Sequence, residues 1–218
     1  MKQVVAIDGP SGSGKTTIAK LIAKELGFNY LDTGALYRAV AMALIKNMIR
    51  PEDTDDKLRD VLDKTLVTFN NGRVFLNGQD VSENIRSKEI DHYSSVFSAR
   101  KIIRDFLLDA QREAALHDDL VVEGRDTTTV VFPDAKKKIF LDASVEQRAK
   151  RRYFQYKEKN IEITLDEARM KIIERDKRDA GRDLAPLKKA SDALLVDSSN
   201  LSIEQVMNTI LYFVRTGL

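Results

Sequence analysis

Gly9-Pro10-Ser11-Gly12-Ser13-Gly14-Lys15-Thr16 is the stretch that decides the fold, because it fits the phosphate-binding loop pattern Gly-x-x-x-x-Gly-Lys-Ser/Thr without a gap. The run Val-Val-Ala-Ile at residues 4–7 precedes it and is typical of a buried strand. Apolar residues recur at helical spacing after the loop, and Gly27 stands where a C-terminal cap belongs. The sequence therefore predicts a strand, a glycine loop and a helix, which is the context that this motif requires.

The loop itself predicts a site for a nucleoside triphosphate. Glycines let the backbone approach a phosphate closely, and successive N–H groups then point at the ligand from the positive end of a helix dipole. We expect Lys15 to reach the β- and γ-phosphates and the hydroxyl of Thr16 to bind Mg2+, the predicted cofactor. The predicted ATP-binding residues of this segment are Gly9, Pro10, Ser11, Gly12, Ser13, Gly14, Lys15, Thr16 and Thr17. An ordinary glycine-rich turn is the alternative.

Composition narrows the class of protein. The 218 residues are 43% hydrophobic, which is enough for a full core. Lys and Arg total 36 and Asp and Glu 34, and the net charge of +2 argues against a nucleic-acid polymer as partner. The absence of Cys excludes disulfides, thiolate metal sites and cysteine nucleophiles. No signal peptide or membrane-length apolar stretch is apparent, so we expect a cytoplasmic protein with no membrane partner.

Strand and helix patterns alternate along the chain, which predicts an α/β fold with a mainly parallel sheet and helices on both faces. The candidate core strands lie at residues 4–7, 30–31, 120–123, 138–141 and 193–196. Two short apolar runs around Asn70-Asn71-Gly72 read instead as a small antiparallel meander at about residues 65–80. Ser144 with Gln147, and Ser202 with Gln205, predict helix starts.

The loop alone does not distinguish a GTPase, an ATPase and a small-molecule kinase. The guanine-reading Asn-Lys-x-Asp pattern does not follow the last predicted strand, and several arginines outside the loop suit a second anionic substrate. A nucleotide-dependent switch without transferase activity is therefore disfavoured. Asp32-Thr33-Gly34 matches the aspartic-protease tripeptide, but it occurs once and a helical pattern follows it, so we interpret it as coincidence.

Further blocks resemble the bacterial cytidylate kinases (CMP/dCMP kinases), which belong to the nucleoside monophosphate kinase family of P-loop proteins. The blocks run through the chain in the family's order, and they are Ile7-Asp8-Gly9-Pro10, Asp32-Thr33-Gly34-Ala35-Leu36-Tyr37-Arg38, Gly124-Arg125-Asp126, Val130-Val131-Phe132-Pro133-Asp134-Ala135, Lys138-Ile139-Phe140-Leu141-Asp142-Ala143-Ser144, Arg148-Ala149, Arg151-Arg152, Glu174-Arg175-Asp176, Pro186-Leu187 and Asp192-Ala193.

This resemblance implies one three-layer P-loop kinase domain over residues 1–218, with a central parallel five-stranded sheet. It implies a monophosphate-binding insertion at about 35–115, which contains the small antiparallel meander, and a helical lid at about 150–182. It also implies a monomer that transfers the γ-phosphoryl group of ATP to CMP and dCMP. A kinase for another acceptor, such as UMP or shikimate, is the nearest alternative.

The resemblance also implies roles for individual residues. The implied CMP-binding residues are Thr33, Tyr37, Arg38, Ser95, Arg104, Arg125, Asp126, Asp179 and Arg182. Arg38 would hold the phosphate and Asp126 the cytosine amino group. The implied catalytic residues are Lys15, Arg125, Arg151 and Arg152, and Arg148 would cover the adenine.

Several of these roles have a structural alternative. Thr33 could be a plain helix N-cap, and Arg125 with Asp126 a structural ion pair. Arg148, Arg151 and Arg152 share one helix face at i, i+3 and i+4, so they could also form a solvated basic face.

Two positions depart from the family's usual pattern Asp-Gly-Arg-Asp-x-Gly-Thr. Glu123 replaces the first Asp, which leaves open any role of that carboxylate toward Mg2+. Thr128 replaces the second Gly, so we expect the backbone there to need no positive φ.

Overall fold

The computed structural model describes residues 2–70 and 72–216. The strands in these ranges are β1 (Val4–Asp8), β2 (Asn29–Asp32), β3 (Val67–Asn70), β4 (Arg73–Leu76), β5 (Gln79–Asp80), β6 (Leu120–Gly124), β7 (Lys137–Asp142) and β8 (Leu194–Asp197). The α-helices are α1 (Lys15–Leu26), α2 (Thr33–Lys46), α3 (Asp55–Leu62), α4 (Lys88–Phe97), α5 (Lys101–His117), α6 (Val145–Glu158), α7 (Leu165–Ala180) and α8 (Ile203–Thr216).

Two sheets organise these elements. A five-stranded parallel sheet has the order β2-β6-β1-β7-β8, and a three-stranded antiparallel sheet has the order β3-β4-β5. All five predicted core strands are present, each within a residue or two of its predicted bounds. The α/β class, the parallel five-stranded sheet and the small antiparallel meander are thus confirmed.

The chain divides into two compact units. The first consists of Met1–Gln3 with Phe28–Leu120, and the second of Val4–Gly27 with Val121–Leu218. The predicted insertion at about 35–115 lies inside the first unit, and the phosphate loop and the predicted lid belong to the second.

In the second unit, three parallel strands form the base on which the phosphate loop is built. Ile7 of β1 is opposite Ile139 of β7, and Leu141 of β7 is opposite Val196 of β8. Ile7, Ile139 and Leu141 are fully buried, which explains why these strands are nearly continuous apolar runs. Helices α1 and α8 pack together, and they contact β1 and β7 respectively.

In the first unit, the start of α2 excludes the alternative that Thr33 is a helix N-cap. Asp32, and not Thr33, is the N-cap: its side chain accepts a hydrogen bond of 3.0 Å from the Ala35 N–H, while Thr33 is the first helical residue. The β3–β4 hairpin pairs Val67 with Leu76. Of its predicted Asn-Asn-Gly turn, Asn71 lies outside the described residues.

The segment predicted as a lid, at about residues 150–182, covers most of α6 and all of α7, and these two helices pack against each other. The Ser144 side chain caps α6 by accepting the Gln147 N–H, as predicted, and Thr164 with Glu167 forms a full capping box at α7. None of the helices in the described ranges combines the length and the hydropathy that a bilayer crossing requires.

Candidate active site

The phosphate loop runs from the end of β1 to the start of α1. Gly9 has a φ of 154°, and a Cβ at this position would collide with the carbonyl oxygen of Leu141 on the neighbouring strand. Gly14, the N-cap of α1, has a φ of 97° and provides no side-chain cap. The N–H groups of the first turn of α1 therefore meet no capping side chain, which is the arrangement that binds phosphate at a helix N-terminus.

Lys15 is buried at the first position of α1, with 5% of its surface exposed. Its Nζ donates to the carbonyl oxygen of Pro10 over 2.8 Å and lies 3.5 Å from the Ser13 hydroxyl. Burial, and next the charge of Arg125, lowers the pKa of Lys15 to about 7, while Glu123 and Asp8 act in the opposite direction. The charged form of Lys15 is destabilised by burial and by the positive charge of Arg125, so an anion that binds beside it would stabilise that charged form.

Asp179 lies among three arginines of the second unit, of which Arg125 and Arg182 are predicted site residues. Its carboxylate accepts a hydrogen bond of 2.9 Å from Arg125, and it lies 3.9 Å from Arg175 and 4.0 Å from Arg182. Burial opposes ionisation of Asp179, but the charges of Arg125, Arg175 and Arg182 outweigh it and lower its pKa. The Asp179 carboxylate thus gathers three guanidinium groups at one place, and guanidinium groups bind phosphate oxygens well.

Two acidic residues stand on either side of Arg125 in the sequence, where β6 ends. Glu123 and Asp126 are both buried, at 4% and 5% exposure. The Asp126 carbonyl accepts a hydrogen bond of 3.2 Å from the Val131 N–H five residues later, which is the bond that defines the π-helical turn Thr127–Val131. Thr128 lies in this turn and is not among the described non-glycine residues with positive φ, so the predicted backbone at Thr128 is confirmed.

The three arginines of α6 differ in their surroundings. Arg148 is 5% exposed and donates to the carbonyl oxygens of Ala143 (2.8 Å) and Ser11 (3.2 Å). It also pairs with Asp176 on α7 over 2.5 Å. A solvated face is therefore wrong for Arg148, which joins the phosphate loop to both helices of the predicted lid.

Arg151 also contacts the phosphate loop. Its guanidinium donates to the carbonyl oxygens of Ser13 (3.0 Å) and Ser198 (2.7 Å) and to the Ser198 hydroxyl (3.0 Å). That hydroxyl is in turn 3.1 Å from the Ser13 carbonyl oxygen. Arg152 differs, since its guanidinium carbon lies 4.8 Å from the centre of the Tyr156 ring.

The predicted CMP residues of the first unit are held by neighbours within that unit. Arg38 forms an ion pair of 2.7 Å with Asp32. Arg104 lies 5.6 Å from the Tyr37 ring centre and donates to the Ser98 carbonyl oxygen over 3.1 Å. Thr33 is buried, at 4% exposure.

Ser95, like the Nε of Arg38, leaves a buried polar atom without a hydrogen-bond partner among the described residues. It is 6% exposed, and its buried hydroxyl finds no hydrogen-bond partner among the described residues. A buried hydroxyl without a partner costs free energy unless a ligand completes it.

A metal ion would need oxygens from a bound substrate in addition to those of the protein. Within residues 2–70 and 72–216, no three His, Asp or Glu side chains cluster as a metal site. Thr16, on the first turn of α1, is exposed and has a hydroxyl that fits an ion arriving with a triphosphate. Mg2+ usually binds in this way, through few protein ligands and the oxygens of the substrate.

Several partners of the site residues were not predicted from the sequence. They are Asp32, which pairs with Arg38, Asp176, which pairs with Arg148, Ser198, which binds Arg151, and Asp8, which binds Thr127 and Thr128. The spacing in the sequence signals none of these pairs, since even the six residues between Asp32 and Arg38 do not match the three or four residues that separate neighbours on a helix face.

Comparison with known proteins gives a consistent match. The sequence profile described as cytidylate kinase matches residues 5–216. A cytidylate kinase of Thermosipho melanesiensis is 51% identical over 211 residues, which cover 97% of this chain and 96% of the relative. A cytidylate kinase of Thermodesulfovibrio yellowstonii is 49% identical over 215 residues, with 97% of each chain covered.

Solved structures resemble the chain at the level of the fold. An uncharacterized protein from Eubacterium ventriosum has a TM-score of 0.57 at 13% identity, and the match covers 99% of both chains. The protein TT1252 from Thermus thermophilus has a TM-score of 0.50 at 16% identity, covering 100% of this chain and 98% of that one.

Proposed function

Since this chain belongs to the cytidylate kinase family, we propose that it transfers the γ-phosphoryl group of ATP to CMP, and also to dCMP, giving ADP and CDP or dCDP. The observation that carries the proposal is the buried Lys15 beside the charge of Arg125, at the start of a helix whose first turn lacks a side-chain cap. This combination favours a polyphosphate ligand, and the family match specifies which phosphate chemistry it serves.

The phosphate loop and α1 are proposed to hold ATP. The backbone N–H groups of the loop would bind the β-phosphate, and the ammonium group of Lys15 would contact the β- and γ-phosphates. Binding of these anions would exchange the Lys15 bond to the Pro10 carbonyl for bonds to phosphate oxygens. Arg148 would cover the adenine, as the family resemblance implies, and its bond to the Ser11 carbonyl supports a place next to the loop.

The acceptor is proposed to bind through guanidinium groups and buried polar side chains. Arg38, held by Asp32, and Arg125, held by Asp179, present the planar fork that binds phosphate oxygens in pairs. The unpartnered Ser95 hydroxyl supports a polar contact to the base. Thr33, Tyr37, Arg104, Asp126 and Arg182 complete the proposed set.

The transfer step requires positioning and charge neutralisation more than covalent chemistry. The acceptor phosphate is already an anion at neutral pH, so neither a nucleophilic side chain nor a strong general base is needed. Lys15, Arg125 and Arg152 would stabilise the charge on the transferring group. Because Arg151 binds the Ser13 and Ser198 carbonyls, we propose that it fixes the position of the phosphate loop. Arg151 would therefore support the transfer indirectly.

Mg2+ is proposed to bind at Thr16 together with the triphosphate, where it would neutralise charge on the β- and γ-phosphates. We further propose that the protein is a monomer and that it acts in the cytoplasm. Closing of the α6–α7 segment over ATP would exclude water and suppress hydrolysis.

The test is ADP formation from ATP and Mg2+ with CMP, dCMP, UMP, AMP, GMP and shikimate offered separately. Strong turnover with CMP and dCMP alone is expected. Turnover only with UMP or shikimate would keep the phosphoryl transfer and overturn the acceptor. Binding of ATP without turnover of any acceptor would favour a nucleotide-dependent switch.

A further inference from the structure

The carboxylate of Asp8 is enclosed by four hydrogen-bond donors from two consecutive threonines. Its Oδ1 accepts from the N–H (2.9 Å) and the hydroxyl (2.7 Å) of Thr127. Its Oδ2 accepts from the N–H (2.7 Å) and the hydroxyl (2.6 Å) of Thr128. Asp8 is 0% exposed and both threonines are 1% exposed, so water does not compete for these bonds.

The two sides of this contact adjoin two different parts of the candidate site. Asp8 is the last residue of β1, and the phosphate loop begins at the next residue, Gly9. Thr127 and Thr128 directly follow Arg125 and Asp126. The contact spans 119 and 120 residues of sequence, so it joins segments that the chain itself does not hold together.

From this geometry we propose that Thr127 and Thr128 act as a clamp on Asp8 that fixes the distance between the phosphate loop and Arg125. This inference rests on the proposed function, and it makes the Thr128 hydroxyl a positioning group for phosphoryl transfer. Lys15 belongs to the loop that follows Asp8, and Arg125 lies two residues before Thr127. Both side chains must meet the same transferring group, and an error of about 1 Å in such a placement can cost about a hundredfold in rate.

The hydroxyl groups strengthen a contact that the backbone alone makes only in part. Two of the four donors are N–H groups, which any residue except proline supplies at these positions. The other two are hydroxyls, and their distances of 2.6–2.7 Å are typical of charge-assisted O–H···O bonds. At position 128, where glycine is the usual residue of the pattern, this chain thus adds a fourth donor. Asp8 as an acceptor-only group matches these donors, whereas an amide at this position would turn an NH2 group toward an N–H.

The first test compares substitutions that keep or remove the Thr128 hydroxyl, and it measures kcat, KM for CMP and the thermal midpoint. Thr128→Val keeps the shape and removes the donor, and we expect kcat to fall about tenfold at a temperature well below the midpoint. Thr128→Ser restores the donor and should restore kcat to within about twofold. Thr129→Val is the matched control, because the Thr129 hydroxyl lies 3.5 Å from the Asp126 carbonyl oxygen and makes no bond to Asp8.

The second test asks whether Thr128 acts through Arg125. In an Arg125→Ala background, Thr128→Val should lower kcat by less than about twofold, because the group that the clamp positions is gone. An equal loss in both backgrounds would mean that Thr128 serves folding alone and would overturn the clamp. If Thr128→Val fails to fold, Thr128→Gly is used instead in this double-mutant comparison, because it also lacks the hydroxyl and keeps the N–H donor.

The outcomes for the clamp and for the proposed function are distinct. Absence of CDP formation by the unmodified chain would overturn the proposed function, and the clamp would fall with it. CDP formation that is unchanged in folded Thr128→Val would overturn the clamp and leave the function intact.

Discussion

At the residue scale, burial decides how the charged side chains of the site behave. Lys15 and Asp179 are both nearly excluded from water, yet the charges of two arginines act on Lys15 and the charges of three act on Asp179. Arg125 therefore raises the cost of charge on Lys15 and lowers the cost of charge on Asp179. As a result, the ammonium group of Lys15 would be stabilised by a bound anion, and the carboxylate of Asp179 stays ionised.

Replacement of Lys15 tests the cationic side of this balance. Lys15→Ala should lower kcat by at least about a hundredfold, because the transferring group loses a preorganised cation. The thermal midpoint of the ligand-free protein should not fall, since a poorly solvated charge is removed. Lys24→Met, on the exposed last turn of α1, is the control and should keep its turnover. Near-normal turnover of Lys15→Ala would remove Lys15 from the catalytic set.

Replacement of Asp179 gives a prediction about pH. The lowered pKa of Asp179 means that its ionised form stabilises the fold above the ordinary value of 3.8, and that this stabilisation is lost as the pH falls through the folded-state value. Urea unfolding should show Asp179→Asn to be less stable at pH 7, with a difference that shrinks below about pH 4. Glu174→Gln, at an exposed carboxylate on the same helix, should change stability little. A difference that stays constant down to pH 3 would contradict the paired state of Asp179.

Arg38 is expected to act on the acceptor. Arg38→Ala should raise KM for CMP by about tenfold or more with little change in KM for ATP, because a charge-assisted bond to phosphate is worth about 1.5–3 kcal/mol. Asp32→Asn should shift KM in the same direction by a smaller factor, since it loosens Arg38 without removing it. If Arg38→Ala raised KM for ATP alone, the two substrate assignments would be exchanged.

At the element scale, helix α6 is attached to the phosphate loop by two side chains one turn apart. Arg148 binds the carbonyl of Ser11, and Arg151 binds the carbonyl of Ser13. Their spacing of three residues predicted a shared helix face, but the sequence did not indicate which carbonyl each guanidinium would meet. Arg152, on the same face, contacts Tyr156 of its own helix and is the one that we assign to the transferring group.

Substitutions of Arg151 and Arg152 in α6, and of Ser198, should separate the holding of the loop from the stabilisation of the transferring group. Arg151→Ala and Ser198→Ala each remove bonds that hold the Ser13 carbonyl, and each should raise KM for ATP about threefold to tenfold. The double variant should show less than the combined loss, because both residues belong to one network. Arg152→Ala should lower kcat with little change in KM for ATP. Equal kinetic profiles for Arg151→Ala and Arg152→Ala would contradict this division.

At the scale of the whole molecule, the fold followed from local patterns and the site only in part. The strands were predictable because they are short, buried, β-branched runs, and α1 was predictable because Gly14 and Gly27 mark its ends. The partners of the site residues were not, since Asp8 meets Thr128 across 120 residues and Arg125 meets Asp179 across 54. Such contacts depend on tertiary packing, which no local spacing encodes. Thr33 was weighed as an N-cap because threonine favours that position, but the neighbouring Asp32 takes it.

Nucleotide binding should be visible in the stability of the whole molecule. A ligand that binds only the folded state at a hundredfold excess over its Kd raises the free energy of unfolding by about 2.7 kcal/mol. ATP with Mg2+ should therefore raise the thermal midpoint in a concentration-dependent manner. At equal ATP concentration the shift should be smaller in Lys15→Ala, and an equal shift would place the triphosphate away from Lys15.

The central claim is that a phosphoryl group moves from ATP to CMP, and label transfer measures it most directly. The protein is incubated with Mg2+, CMP and ATP labelled at the γ-phosphate, and the nucleotides are separated, with Lys15→Ala as the background control. We predict that the label appears in CDP, in step with ADP formation, and that the control forms almost none. Label found only in inorganic phosphate, or retained in ATP while CMP is bound, would contradict the assignment of this chain as a kinase that acts on CMP.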